Sequence, residues 1–339
     1  METTKIFLIF LGLVSLSISS CKEVPKGPIY DEQATVSNVI PNKAVLIDQD
    51  YSDICFSAQL NDTIDARFTF DTGLDDKIII DSAFAVKYGF FEGVNIQKRI
   101  TMHQIFKQKP HGAYYSSNIT NLAVEFGNFK KNLKFFYILD LKKTFGCETD
   151  ILIGSAMLED EIFEINYTNS YLYVYKKTDS IPFSKYSKLD LHKENRQCYG
   201  ITVRHTFNDS CSINLNYMLD TGTPRSFTIT NMGQNDLEKV KECTTEDQTI
   251  YVYDVVNRVR EFYHSTIEIG NDMESQYFFE LPVMTLSPNT SYNGIVGNKF
   301  FKLVDPVFDL KNKHIYLKKT ESGLDLKANN LGIELVSYL

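Results

Sequence analysis

The chain has 339 residues, 43% hydrophobic and 23% charged, with 17 Gly, 9 Pro and 6 Cys, a balance that excludes collagen-like, low-complexity and wholly disordered proteins. Aromatic residues reach 13% through 24 Phe and 20 Tyr without a single Trp, which favours strands over a helical bundle. The formal net charge is −8, and no Lys/Arg stripe supplies the basic face that a phosphate backbone needs, so nucleic acid is excluded as a partner.

Residues 1–20 (METTKIFLIFLGLVSLSISS) run from Lys5 through the apolar stretch Ile6–Val14 to small residues. This is the layout of a secretory signal peptide, and it is shorter than the roughly 20 apolar residues of a permanent span. The segment Ile18-Ser19-Ser20-Cys21 resembles the lipobox of bacterial lipoproteins, with Ser20 where Gly or Ala is commoner. The resemblance implies an exported protein whose Cys21 is the lipidated first residue, anchored to a bacterial membrane on the periplasmic or cell-surface side. A plain secretory signal cut nearby is the other reading. No later stretch reaches 18 uninterrupted apolar residues, so lipid alone would hold the membrane. Residues 21–41 read as the lipidated Cys and a polar tether containing Pro25, Pro28 and Pro41. Beyond Cys21 stand Cys55, Cys147, Cys198, Cys211 and Cys243, without a C-x-x-C or zinc spacing. Their odd number leaves at least one unpaired, and most are expected as buried free thiols.

From about residue 43 the chain becomes short apolar runs separated by Asn, Asp, Gly and Ser clusters. Phe68–Phe70, Leu122–Phe126, Leu133–Leu139, Tyr171–Tyr175, Tyr251–Val256 and His314–Leu317 are examples. Runs this short, rich in aromatic and β-branched residues, predict strands. Helices are predicted over Asp81–Tyr88, with Asp81 or Ser82 as N-cap and Gly89 as the stop, and over Asn231–Glu242. The fold class expected is all-β, mainly antiparallel, with few short helices.

An internal repeat organises these runs. ARFTFDTG at 66–73 matches LNYMLDTG at 215–222, and NLAVEFGN at 121–128 matches STIEIGN at 265–271. DILIGSAML at 150–158 matches NGIVGNKFF at 293–301, and FEINYTNSYLYV at 163–174 matches VFDLKNKHIYL at 307–317. The distance from the Asp of DTG to the downstream Gly is 83 residues in the first copy (Asp71 to Gly154) and 77 in the second (Asp220 to Gly297). Two homologous halves follow, 42–185 and 186–339, joined near Lys176–Leu189.

Asp and Gly are common turn formers, so one DTG after a strand is unremarkable as a motif. At roughly 6% background per residue, a single triplet arises by chance in about 7% of chains this long, and two in about 0.3%. Matched flanks and matched downstream segments lower that further. If the halves pack about a pseudo-twofold axis, Asp71 and Asp220 meet at their interface. Two carboxyls so close share one proton, and their pKa values split. One then serves as base toward a water held between them, and the other as acid toward a carbonyl oxygen. Gly73 and Gly222 would allow a tight turn, while Thr72 and Thr221 could bond across the axis.

With these residues the sequence resembles pepsin-like and retropepsin-like aspartic proteases over most of 50–318. Phe70-Asp71-Thr72-Gly73, Leu219-Asp220-Thr221-Gly222, Ile151–Gly154 and Ile295–Gly297 carry the resemblance. It implies a bilobal acid-protease fold with two homologous six-stranded-barrel-like lobes, and an aspartic endopeptidase with Asp71 and Asp220 as its catalytic pair. It also implies peptide or protein substrates, a monomer, and neither cofactor nor metal. Thr223 fits the family's position after DTG. Leu74 departs from it, offering no hydroxyl to Asp71 and bulk that could crowd the loop. A catalytically inactive peptide-binding lipoprotein is the alternative. The family also implies a flap, for which Met102–Tyr115 is the candidate, with Tyr114 or Tyr115 at its base; an ordinary surface hairpin is the other reading. H-E-x-x-H, G-x-S-x-G, Walker and G-x-G-x-x-G motifs are missing.

Overall fold

A computed structural model describes residues 40–319 except 49–52, 75–77, 92–114, 118–121, 134–135, 146–147, 177–178, 180, 182–185, 194–197, 225, 231, 245–248, 254–258, 271–272 and 281–291. The signal segment, Cys21, Cys147 and the flap candidate up to and including Tyr114 lie outside the described residues, while Tyr115 opens the strand Tyr115–Ser117. The class is all-β and bilobal, with almost every strand pair antiparallel. The strands form two mixed sheets, and no barrel closes among the described residues.

The two copies of the repeat fold in the same register. Ile64–Asp71 runs parallel to Ile151–Gly154, pairing Asp71 with Gly154. Cys211–Asp220 runs parallel to Gly294–Gly297, pairing Asp220 with Gly297. Each segment is locked in at its start by a reciprocal bond. The Arg67 N–H donates to Asp150 Oδ2 at 2.8 Å, and the Asp150 N–H to the Arg67 carbonyl at 2.9 Å. At the equivalent positions the Asn216 N–H donates to Asn293 Oδ1 at 2.8 Å, and the Asn293 N–H to the Asn216 carbonyl at 2.7 Å.

Between the lobes runs a sheet to which both halves contribute. Ile162–Asn166 pairs antiparallel with Val304–Asp309, then Tyr171–Val174 and Val45–Asp48 extend it on one side. His314–Lys319 and Ser187–Asp190 extend it on the other. Glu164 faces Val307, its own counterpart in the repeat, so the pseudo-twofold axis passes between them. The turns on either side are copies as well. The Asn169 N–H donates to Asn166 Oδ1 at 2.7 Å and the Asn312 N–H to Asp309 Oδ1 at 3.2 Å. Ser170 and Lys313 then take up left-handed φ of 56° and 59°.

Rings join the two cores across this axis. Phe70 meets Phe163 edge-on at 5.4 Å, Phe163 stacks on Phe308 at 4.8 Å, and Phe308 contacts Phe301 at 6.1 Å. Phe300, Phe227 and Tyr217 continue the chain into the second lobe. Each ring pair contributes about 0.5–1.5 kcal/mol beyond its buried area.

The helices begin close to their expected starts. Ser82–Lys87 is capped by the Asp81 carboxylate, which accepts from the Ala83 and Phe84 N–H groups at 2.8 and 3.2 Å. The second helix is Gln234–Cys243. Its last residue, Cys243, forms a disulfide with Cys211, a pairing the spacing left open, and pins the helix to the second lobe's sheet. Cys55 and Cys198 are buried thiols outside any disulfide.

The lobes differ in one part of their cores. Strand register matches Leu60, Phe68 and Leu122 of the first half with His205, Tyr217 and Ser265 of the second. His205 is fully buried, its Nδ1 3.0 Å from Ser265 Oγ and its Nε2 2.8 Å from the Tyr217 hydroxyl. Burial pushes the imidazole pKa down to about 3. The native imidazole therefore stays neutral while the unfolded chain takes up a proton below about pH 6.5. Stability from this group is complete above that pH and falls by about 1.4 kcal/mol per unit as pH drops toward 3. Urea denaturation at pH values from 7.5 to 4 should show this slope. The double substitution His205→Leu with Tyr217→Phe should remove one proton's worth of it, and an unchanged slope would contradict the assignment.

Candidate functional site

Both DTG turns leave their strands at the same point, so the carboxyls of Asp71 and Asp220 arrive at the lobe interface from opposite sides. Each is half-buried, and the two hydrogen-bond each other. Backbone N–H groups point at them from both loops. Asp71 Oδ1 accepts from Gly73 at 2.7 Å and from Gly222 of the other lobe at 3.3 Å. Asp220 Oδ1 accepts from Gly222 at 3.1 Å.

The glycines are required by approach rather than by backbone conformation. A Cβ on Gly73 would lie 2.6 Å from the Asp220 carboxyl carbon, and one on Gly222 would lie 2.6 Å from that of Asp71. Any side chain at either place would push the opposing carboxyl away.

Thr72 and Thr221, both buried, bind the loops to each other reciprocally. The Thr72 N–H donates to Thr221 Oγ1 at 3.0 Å, and the Thr221 N–H donates to Thr72 Oγ1 at 3.0 Å. The Thr221 hydroxyl donates onward to the Phe70 carbonyl at 3.2 Å. Behind the second loop, the Thr223 carbonyl accepts from the Asn298 N–H at 2.8 Å, and the Asn298 side chain accepts from the Tyr167 hydroxyl of the first half. Thr223 therefore supports the loop through its backbone.

Leu74 does not crowd the carboxyls. Its side chain is buried in a satellite cluster with Ile79, Leu139, Leu141 and Leu152, which takes up the bulk behind the loop.

Electrostatically the pair is unequal. Burial raises both carboxyls above the ordinary carboxylate range. For Asp71 the hydrogen bond from Asp220 and the two glycine N–H groups pull the other way. For Asp220 the charge of Asp71 and the bond to it add to burial, so it rises further. Asp71 Oδ1 accepts two glycine N–H bonds and Asp220 Oδ1 one, an arrangement that favours the charge on Asp71.

No family model matches the chain, and no curated protein matches it. Among solved structures, the crystal structure of basic 7S globulin from soybean superposes over 84% of this chain and 98% of that chain, with 10% identity and a TM-score of 0.45.

Tyr167, Asn298, Cys198 and Asp53 are parts of the site's surroundings that the motifs did not mark. Only the strand register, continued past each outer strand to the residues facing the DTG Asp, brings out the last two.

Replacing Thr221 by Val removes the acceptor of the buried Thr72 N–H, at about 1–3 kcal/mol. Urea denaturation of Thr221→Val should show a loss of about 1–3 kcal/mol. A midpoint equal to wild type would contradict the reciprocal lock.

Proposed function

We propose that the protein is an aspartic endopeptidase that hydrolyses peptide bonds with a water activated between Asp71 and Asp220. The observation that carries this reading is the pair of hydrogen-bonded carboxyls at the lobe interface, both raised and raised unequally. Asp71, with N–H donors from both loops to hold its charge, is the base. It takes a proton from water as the oxygen attacks the peptide carbonyl carbon. Asp220 gives its proton to the carbonyl oxygen in the same step. The tetrahedral diol then collapses, with Asp220 recovering a proton from one hydroxyl and Asp71 delivering its proton to the departing nitrogen. The pair returns to its one-proton state.

This scheme fixes the sign of the pH dependence. Activity falls on the acid side when Asp71 is protonated and on the basic side when Asp220 loses its proton. Because burial raises both groups, the profile should be centred above pH 3.8, the ordinary Asp value. Residues 22–339 should cleave members of a peptide library between pH 3 and 7. Asp71→Asn and Asp220→Asn should each lose at least about 100-fold in kcat, the lower end for a general acid or base. Cleavage surviving in either variant would remove the dyad from the chemistry. Peptide binding without cleavage at any pH would instead make the protein an inactive peptide-binding lipoprotein.

Export and lipid anchoring through Cys21 belong to the same reading, supported by the signal-like leader and lipobox-like segment. In cells, Cys21→Ala should move the protein from the membrane fraction to the soluble fraction. Membrane retention of that variant would exclude the lipid anchor.

A further inference from the structure

We propose that Cys198 and Asp53, which occupy the same place in the two halves, both act on the Asp71–Asp220 dyad, Cys198 by bonding the other half's DTG loop and Asp53 by its charge. The inference rests on reading that dyad as catalytic.

The equivalence comes from strand register. Ile54 pairs with Phe70 and Gly200 with Met218, both antiparallel. Continuing each ladder outward places Asp53 opposite Asp71, and Cys198 opposite Asp220.

Cys198 bonds the other half's loop with its side chain. It is 7% exposed, and its thiol donates to the Gly73 carbonyl at 2.9 Å, across 125 residues of sequence. Its backbone is held in turn, because the buried Tyr292 hydroxyl donates to the Cys198 carbonyl at 2.5 Å. Tyr292 also packs against His192, and both rings close over Gly200. The thiol thus comes from a fixed strand end. The residue it holds is the one whose N–H makes the 2.7 Å bond to Asp71.

Asp53 brings a charge where Cys198 brings a neutral donor. It is half-buried, and its negative charge is among the influences that raise Asp220. Burial raises the Cys55 thiol, its hydrogen bond with Thr69 and the Arg67 charge lower it, and the Asp53 charge raises it. Asp71, Asp220, Cys55 and Arg67 are thus the titratable or charged groups identified around Asp53. The two halves use one position for two purposes: Cys198 fixes the loop that carries Asp71, and Asp53 adds its charge to the field at the opposite carboxyl.

Two measurements on the whole mature chain separate this proposal from the catalytic reading. Carboxyl-carbon NMR titration follows the dyad whether or not the protein turns over. Asp53→Asn should move the upper step of the dyad to lower pH, and the basic limb of the rate profile should move with it. Amide exchange reads the Gly73 N–H directly. Cys198→Ala should speed that exchange and lower kcat about tenfold with KM unchanged, while Cys198→Ser should restore both to within about threefold. If Cys198→Ala does not fold, Cys198→Val, which fills the space without a donor, takes its place. An upper step unmoved by Asp53→Asn would overturn the proposal. So would an unchanged Gly73 exchange rate, or a faster rate spread evenly over the whole lobe, in the Cys198 variant. Should wild type cleave no peptide while titration and exchange respond as stated, the catalytic reading fails and the positioning pair stands.

Discussion

Two carboxyls are brought together at an interface between halves of one chain, where both cannot ionise cheaply, and the contact must be held closed. The reciprocal Thr72–Thr221 bonds do this, since each threonine is donor through its backbone and acceptor through its side chain. Gly73 and Gly222 then let each carboxyl approach the opposing loop more closely than any Cβ would permit. The parallel pairings with Ile151–Gly154 and Gly294–Gly297 fix where each turn leaves its strand. The sheet shared between lobes, with the Phe163–Phe308 stack beside its axis, sets the angle at which the halves meet. Neither half alone possesses the site.

Duplication explains the frame, and divergence tunes it. The loop and its brace repeat almost bond for bond, as the Arg67–Asp150 and Asn216–Asn293 pairs illustrate. Away from the axis the halves are freer. Leu60, Phe68 and Leu122 fill one core with hydrocarbon, while His205, Tyr217 and Ser265 fill the other with a hydrogen-bonded chain. That choice makes the second lobe sensitive to acid. The raised dyad and the buried His205 thus make both the lobe interface and the second core sensitive to pH.

Features encoded by local spacing were readable from the residues alone. The two DTG turns, the bracing Gly segments and the Asp81 cap each depend on a few neighbouring positions. Features created by distant contacts were not. The Cys211–Cys243 bond joins a strand start to a helix end, 32 residues apart, and nothing in either neighbourhood announces the other. Cys198 reads as an ordinary buried thiol until the sheet brings it to Gly73. Leu74 looked obstructive beside Asp71 because its destination, the cluster around Ile79 and Leu152, is assembled from other strands. The sheet common to both lobes escaped for the same reason, since Ile162–Asn166 meets Val304–Asp309 only after both halves have formed.

The dyad's proton count is the quantity on which all of this converges. Titrating the wild-type protein by carboxyl-carbon NMR, with Asp71→Asn and Asp220→Asn to assign the signals, measures it directly. Two separated steps are predicted, the upper one well above the ordinary carboxylate range and belonging mainly to Asp220. Two overlapping steps near the ordinary Asp value of 3.8 would mean that the carboxyls do not share a proton, and would contradict the account.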